Sequence, residues 1–155
     1  IRKEGKQAQE SIIKEYAETI ISGANIKIAV RGCLTNKKQE FFSDAMIECE
    51  SLDIEKLAKA ALRDVDAIYD YLETTKLSDA VGEIKNSLSR FEKWLDNFIM
   101  NRIQKEKYNP FTISPIIAYI LAKQNEIQMV RMIILLKLNR VDDEAIKERL
   151  REMYV

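Results

Sequence analysis

The side chains that could carry covalent or acid–base chemistry are few in this 155-residue chain, which has no histidine and two cysteines, Cys33 and Cys49. Without histidine the commonest general base near neutral pH is missing. A structural zinc site takes four Cys/His ligands, so zinc is not expected, and the two cysteines read as buried thiols. Glu144 and Glu148 stand four residues apart, the spacing of a carboxylate pair on one helix face but equally of a solvated one. Asp53, Asp64, Asp66 and Asp70 read as helix caps and surface charges. There is no P-loop, no glycine-rich phosphate cradle and no nucleophile–base spacing. Neither an active site nor a cofactor is expected.

Polar residues set into apolar runs carry more information. Arg131 stands between Val130 and Met132-Ile133-Ile134-Leu135-Leu136; if buried, its charge needs hydrogen-bonded acceptors. Glu126 lies about 140° from Arg131 around a helix, so the two make no good local pair and each must meet water or another element. Lys123, Glu126 and Lys137 face either solvent or a groove. Asn25 and Arg31 sit on an otherwise apolar surface, as pocket groups or as rim residues. A bundle keeping such groups on inner helices has a polar-lined cavity, which is either a socket for another protein's helix ends or a structural lock.

The elements that position these residues are helices. With 46% apolar and 32% charged residues, four glycines and two prolines, an all-α fold of helical hairpins is expected. Residues 2–34 form one long helix, straight or bent, with Ser22-Gly23 marking a kink or a close helix contact. A short helix over 37–48 buries Phe41, Phe42, Ala45 and Met46. Asp53 caps the next helix, Arg63-Asp64 ends or bends it, and 65–72 turns Val65, Ile68, Tyr69 and Leu72 inward. Ser78 starts a further piece. Residues 87–108 form a second long helix on Leu88, Phe91, Leu95, Phe98, Ile99, Arg102 and Ile103, with Trp94 on its flank. After the Asn109-Pro110 turn, Ser114 is the expected N-cap and Pro115 the first helical residue. Ile116, Ile120, Ile127, Val130, Ile134 and Leu138 then recur at helical spacing, and Asp142 caps a last short helix. These final two helices read as a packed hairpin.

Formal net charge is zero, with 25 basic and 25 acidic residues, which removes the basic excess of a nucleic-acid binder. The longest apolar stretches, 113–122 and 129–138, fall short of a membrane span. The chain begins at Ile1 rather than methionine and is expected to be a piece of a longer protein. A faint internal repeat is visible: residues 28–34 lie 104 positions before 132–138, and Glu40 and Phe42 precede Glu144 and Ile146 by the same step.

One ordered set of residues resembles a known family. Pro115, Ala118-Tyr119, Ala122-Lys123, Glu126-Ile127, Val130-Arg131, Lys137-Leu138-Asn139, Ile146, Glu148-Arg149-Leu150-Arg151 and Tyr154-Val155 are similar to the C-terminal signature of the C subunit of V-type (A-type) ATP synthases. The d subunit of the eukaryotic V-ATPase is similar too. Leu136 departs from the pattern, which has a small residue before the lysine. The resemblance implies a three-lobed, funnel-shaped, all-α subunit, of which 1–62 would be part of a middle lobe and 63–155 the C-terminal lobe. It implies a non-catalytic rotor-coupling subunit on the cytoplasmic side of the membrane, peripheral to it. Its partners would be the central-stalk subunits (D/F type) and the membrane proteolipid ring, in ATP-coupled H+ or Na+ transport. Tyr119, Glu126, Arg131 and Lys137 are then the candidate partner-binding residues, with Asn25 and Arg31 as middle-lobe counterparts. The alternative is a free-standing helical adaptor that binds an amphipathic partner helix.

Overall fold

The computed structural model describes residues 11–105 and 112–151. Expectations for 2–10, for the helix end at 106–108, for the turn at 109–111 and for Tyr154-Val155 lie outside these residues. All regular structure among the described residues is helical. The chain runs through α1 (Ser11–Leu34), α2 (Gln39–Ala45), α3 (Ile54–Arg63), α4 (Val65–Glu73), a 3-10 turn (Ser78–Ala80), α5 (Val81–Asn86), α6 (Leu88–Lys105), α7 (Ser114–Leu138) and α8 (Asp143–Glu148).

The α1 helix is continuous, so Ser22-Gly23 marks a close contact, not a break. A methyl group on Gly23 would lie 2.2 Å from Leu95 Cδ2, and one on Gly32 would lie 2.4 Å from the Phe42 ring. Those two glycines let α6 and α2 press against the α1 backbone. Ser22 returns its hydroxyl to the Glu18 carbonyl at 2.6 Å, so burying it leaves no unmet donor.

Around α1, short helices are cut to length by aspartates. Asp53 Oδ1 accepts the Lys56 N–H at 3.1 Å, which starts α3. Asp64 ends α3 in an extended conformation and accepts the Ala67 N–H at 2.7 Å, starting α4 at the same residue. The two helices can therefore turn sharply and face each other. Ser87 does the same for α6, accepting from Arg90 N at 3.1 Å. The buried cluster runs from Ile12 through Ile26, Phe42, Leu57, Ile68, Leu72 and Phe91 to Ala118 and Ala122. The expected lobe boundary at 62/63 falls in the last turn of α3, and α1 packs on α3 and α4 as well as on α6 and α7.

The faint repeat has a structural counterpart. Helices α1 and α7 end with the same three backbone bonds, displaced by 104 residues. In the first unit Thr35 N, Asn36 N and Lys37 N donate to the carbonyls of Arg31, Cys33 and Gly32; in the second Asn139 N, Arg140 N and Val141 N donate to those of Leu135, Lys137 and Leu136. Asn36 and Arg140 take positive φ, 49° and 56°, as a left-handed helix cap requires. The following short helices begin at Gln39 and Asp143 and bury Phe42 and Ile146, again 104 apart.

Two expectations for the final hairpin are corrected. The helix starts one residue early: Ile113 is the cap position and Ser114 is already helical and buried. The apolar stripe, read as belonging to a packed hairpin, faces outward, with Ile116, Ile120, Ile127, Val130, Ile134 and Leu138 between 50% and 74% exposed. The buried face is Ser114, Ala118, Ala122 and Met129, with Ile117 and Leu121 half-buried beside it. Alanines let α7 lie close on α1 and α6, so the small side chains hold the contact and the large ones remain outside. Smaller differences occur at Phe41, 38% exposed beside buried Phe42, and at Arg102, which stands on the surface and not in the apolar stripe.

Candidate functional site

The α7 helix holds four of the six candidate residues. Tyr119 is exposed; Lys123 Nζ lies 5.6 Å from its ring centroid and 2.6 Å from Glu126 Oε2. Glu126 thus meets a cation three residues back on its own helix, not another element. This contact holds the Lys123 pKa above its ordinary value. Lys137 lies five turns along from Tyr119 on the same side and pairs with Asp143, tying the end of α7 to the first turn of α8. The pairing draws the Asp143 carboxyl below its ordinary value. Arg131 is exposed and has no ion-pair partner among the described residues, so the acceptors that burial would have demanded are not needed.

The two α1 candidates are held differently. Asn25 is 1% exposed and works as a clamp. Its Nδ2 donates to the Ile47 carbonyl at 2.6 Å and its Oδ1 accepts the Ile47 N–H at 2.9 Å. One amide thereby satisfies both backbone groups of a residue just past the end of α2, where no helix would. Arg31 is exposed, with Nη2 3.6 Å from Glu92 Oε1; Lys27 Nζ reaches the same oxygen at 3.3 Å. On the 104-residue step Asn25 corresponds to Met129 and Arg31 to Leu135, whereas Arg131 corresponds to Lys27.

These six residues do not share one cavity. A cleft of about 640 Å³ runs between the N-terminal half of α6 and the ends of α7 and α8 and holds none of them, and one of about 620 Å³ at the turn between α7 and α8 holds Lys137 alone of the six. Arg90, Lys93, Trp94, Met132, Arg149 and Arg151 are among the lining of the first. Lys93 Nζ donates to the Glu148 carbonyl at 2.6 Å, closing the end of α8.

Sequence reading missed the pair that one lining residue, Arg151, makes with Asp96. Arg151 Nε lies 2.5 Å from Asp96 Oδ2, an ion pair between two largely buried side chains. Burial pushes the Asp96 carboxyl above its ordinary value against the pull of Arg151, and burial with the neighbouring Asp96 charge pushes Tyr16 up as well. The available signal was an acid directly after buried Leu95, but its partner stands 55 residues on. Among the described residues no group of three or more Cys, Asp or Glu side chains is placed to hold a metal ion, and no helix is long and apolar enough to cross a membrane.

Comparison with known proteins places this arrangement. The family model described as ATP synthase (C/AC39) subunit matches residues 1–149. The C subunit of the A-type ATP synthase of Methanocaldococcus jannaschii is 28% identical over 163 residues, covering 97% of this chain and 39% of that protein. That of Desulfurococcus sp. is 28% identical, covering 92% and 40%. The C subunit of the V-type sodium ATPase of Enterococcus hirae is 24% identical, covering 99% and 48%. The chain therefore spans about two fifths to one half of the curated relatives it matches. No solved structure matches. With nearly its whole length matched by the one family model, the chain belongs to the ATP synthase (C/AC39) subunit family.

Proposed function

We propose that this chain is part of a non-catalytic rotor-coupling subunit of a V-type (A-type) ATP synthase or ATPase. It would link the central stalk, through D/F-type subunits, to the membrane proteolipid ring, on the cytoplasmic side and peripheral to the membrane. There it would couple ATP turnover to H+ or Na+ transport. The observation that carries the reading is the family match over residues 1–149, with relatives named as the C subunits of A-type ATP synthases and of a V-type sodium ATPase. The mechanics suit it. Two uninterrupted helices of 24 and 25 residues, each closed by a fixed turn and joined through a shared core, resist bending under torque.

Within this proposal Tyr119, Glu126, Arg131 and Lys137 face a partner and exposed Arg31 does so from the other helical unit, while buried Asn25 contributes only by holding Ile47 in place. The division into a middle lobe, 1–62, and a C-terminal lobe, 63–155, of a longer subunit belongs to the same reading. The test is a pull-down of the tagged chain against the central-stalk subunits and the detergent-solubilised proteolipid ring of the same cell. Retention of stalk subunits, reduced in Arg131→Ala with helicity unchanged, supports the reading. A folded chain that retains neither, alone or within the full-length protein, overturns it.

A further inference from the structure

The two short helices α2 and α8 occupy the same place in their units but are fastened by different chemistry. α2 buries Phe42, and Met46 just past its end is buried too; the helix packs against both α1 and α3. The next residue, Ile47, is pinned through both its backbone groups by the neutral Asn25 amide of the unit's own long helix. One step of 104 residues on, Met46 becomes Leu150, 36% exposed, and Asn25 becomes Met129, which has no amide to offer. Among the described residues α8 belongs to none of the main helix pairings and buries Ile146 alone. The place of Ile47 is taken by Arg151, and here the anchor is ionic. Asp96 of α6 pairs with its guanidinium, and Met132 Sδ lies 3.7 Å from its Nη1.

Charge makes this second fastening conditional. Asp96 stands beside a cavity of about 80 Å³ between α1, α6 and α7, to which α8 contributes nothing. The bundle itself therefore buries this carboxyl, whether or not α8 is seated. The titratable and charged groups about Asp96 are Tyr16 and Lys27 from α1, Glu92 from its own helix, and Arg151. From α7 the cavity receives Leu121 and the amides of Gln124, Asn125 and Gln128, none of which titrates. Lys27 is engaged by Glu92, so Arg151 is the cation in contact with Asp96. Unseating α8 removes that cation and keeps the burial. The open form thus holds the Asp96 proton to higher pH than the closed form, and acid favours opening. Once Asp96 is protonated, a guanidinium with only 17% of its side chain exposed has lost its countercharge, and water is the better place for it. At the joint itself Lys137 draws the Asp143 carboxyl below its ordinary value, so that tie persists where Asp96 has let go. We propose that the Asp96–Arg151 pair is an acid-operated latch: protonation of Asp96 releases Arg151 to water, and α8 swings off α6 about the turn at 139–142 while the rest of the bundle stays folded. The latch does not rest on the rotor-coupling reading.

The test follows the full chain by NMR between about pH 7 and 4. It reads the Asp96 carboxyl carbon, the Ile146 methyl groups and the Trp94 indole, with the far-ultraviolet dichroism and the methyl groups of buried Leu57 and Ile68 as references. The expected result is that the Ile146 and Trp94 signals move together with the Asp96 carboxyl at one apparent pKa, while the references hold constant. Asp96→Asn, uncharged at every pH, gives the acid positions of Ile146 and Trp94 already near neutrality and shows no transition. Arg151→Met leaves no charge to expel. Its Ile146 and Trp94 signals do not titrate, whereas the Asp96 carboxyl still does, at higher pH than in the parent chain because the cation is gone. Should Asp96→Asn not fold, the Arg151→Met chain decides the question alone. An Asp96 carboxyl that titrates with Ile146 and Trp94 unmoved, a transition in those two signals that survives either substitution, or a lower Asp96 pKa in Arg151→Met would each overturn the latch.

Discussion

Asn36 and Arg140 stand 104 residues apart and hold the same left-handed backbone conformation at the ends of the two longest helices, with φ of 49° and 56°. They are not equally suited to it. Asparagine tolerates this region, whereas a long side chain pays for its Cβ against the following carbonyl. Arg140→Gly is expected to stabilise the chain by about 1 kcal/mol and Asn36→Gly by less than half that. Urea midpoints decide it; equal effects would mean that the two turns are not energetic equivalents.

Two glycines in helices should answer alanine with opposite signs. Gly82 on α5 has open space around it, so Gly82→Ala should gain roughly 0.5–1 kcal/mol from helix propensity alone. Gly23→Ala gains the same propensity but drives a methyl into Leu95, which is buried at 5% exposure. A net loss of about 1–3 kcal/mol is expected. Adding Leu95→Ala should make the Gly23 substitution nearly neutral, and additive effects in the double-mutant cycle would refute the contact.

The Asn25 amide serves two backbone groups at once. Asn25→Leu keeps a similar volume and removes both bonds, leaving the Ile47 N–H and carbonyl without their partner. The cost should be about 2–4 kcal/mol. Asn25→Asp keeps one acceptor and places a carboxylate against the Ile47 carbonyl, so it should not rescue. Thermal melts of both variants check this, and a loss below the error of measurement would remove Asn25 from the clamp.

Asp96 gives a pH dependence of definite sign. Because burial raises its folded pKa above the ordinary 3.8, the folded chain holds this proton to higher pH than the unfolded chain does. Its contribution to stability is therefore greatest below the ordinary pKa and declines as pH rises through the folded one. Asp96→Asn removes the titration. Unfolding by urea at several pH values from about 3.5 to 7 should show the stability difference moving in favour of the variant as pH rises. A difference constant with pH would show that this carboxyl does not carry the shift.

Local rules written in the sequence predicted much of this fold. The aspartates at 53 and 64 work as caps where capping chemistry placed them, and the weak identities at a 104-residue step mark two real helix–turn–helix units. The same rules misjudged α7, because that helix is apolar on nearly every side. Period alone cannot say which side faces the core. Ala118 and Ala122 won the interior because they allow close approach, a property of the neighbouring helices and not of α7. Long-range pairs were equally hidden: Asn25 with Ile47, Lys27 with Glu92 and Asp96 with Arg151 depend on how helices cross.

The chain's single tryptophan, Trp94, stacks at 6.2 Å and 5.0 Å between Phe91 and Phe98 and lines the cleft beneath Met132 and Arg151. Its fluorescence is thus a local witness to the seam where the ends of α7 and α8 rest on α6. Emission that moves to longer wavelength before the far-ultraviolet dichroism falls would record that seam letting go ahead of the bundle. Coincident curves would record a molecule that comes apart as one cooperative unit.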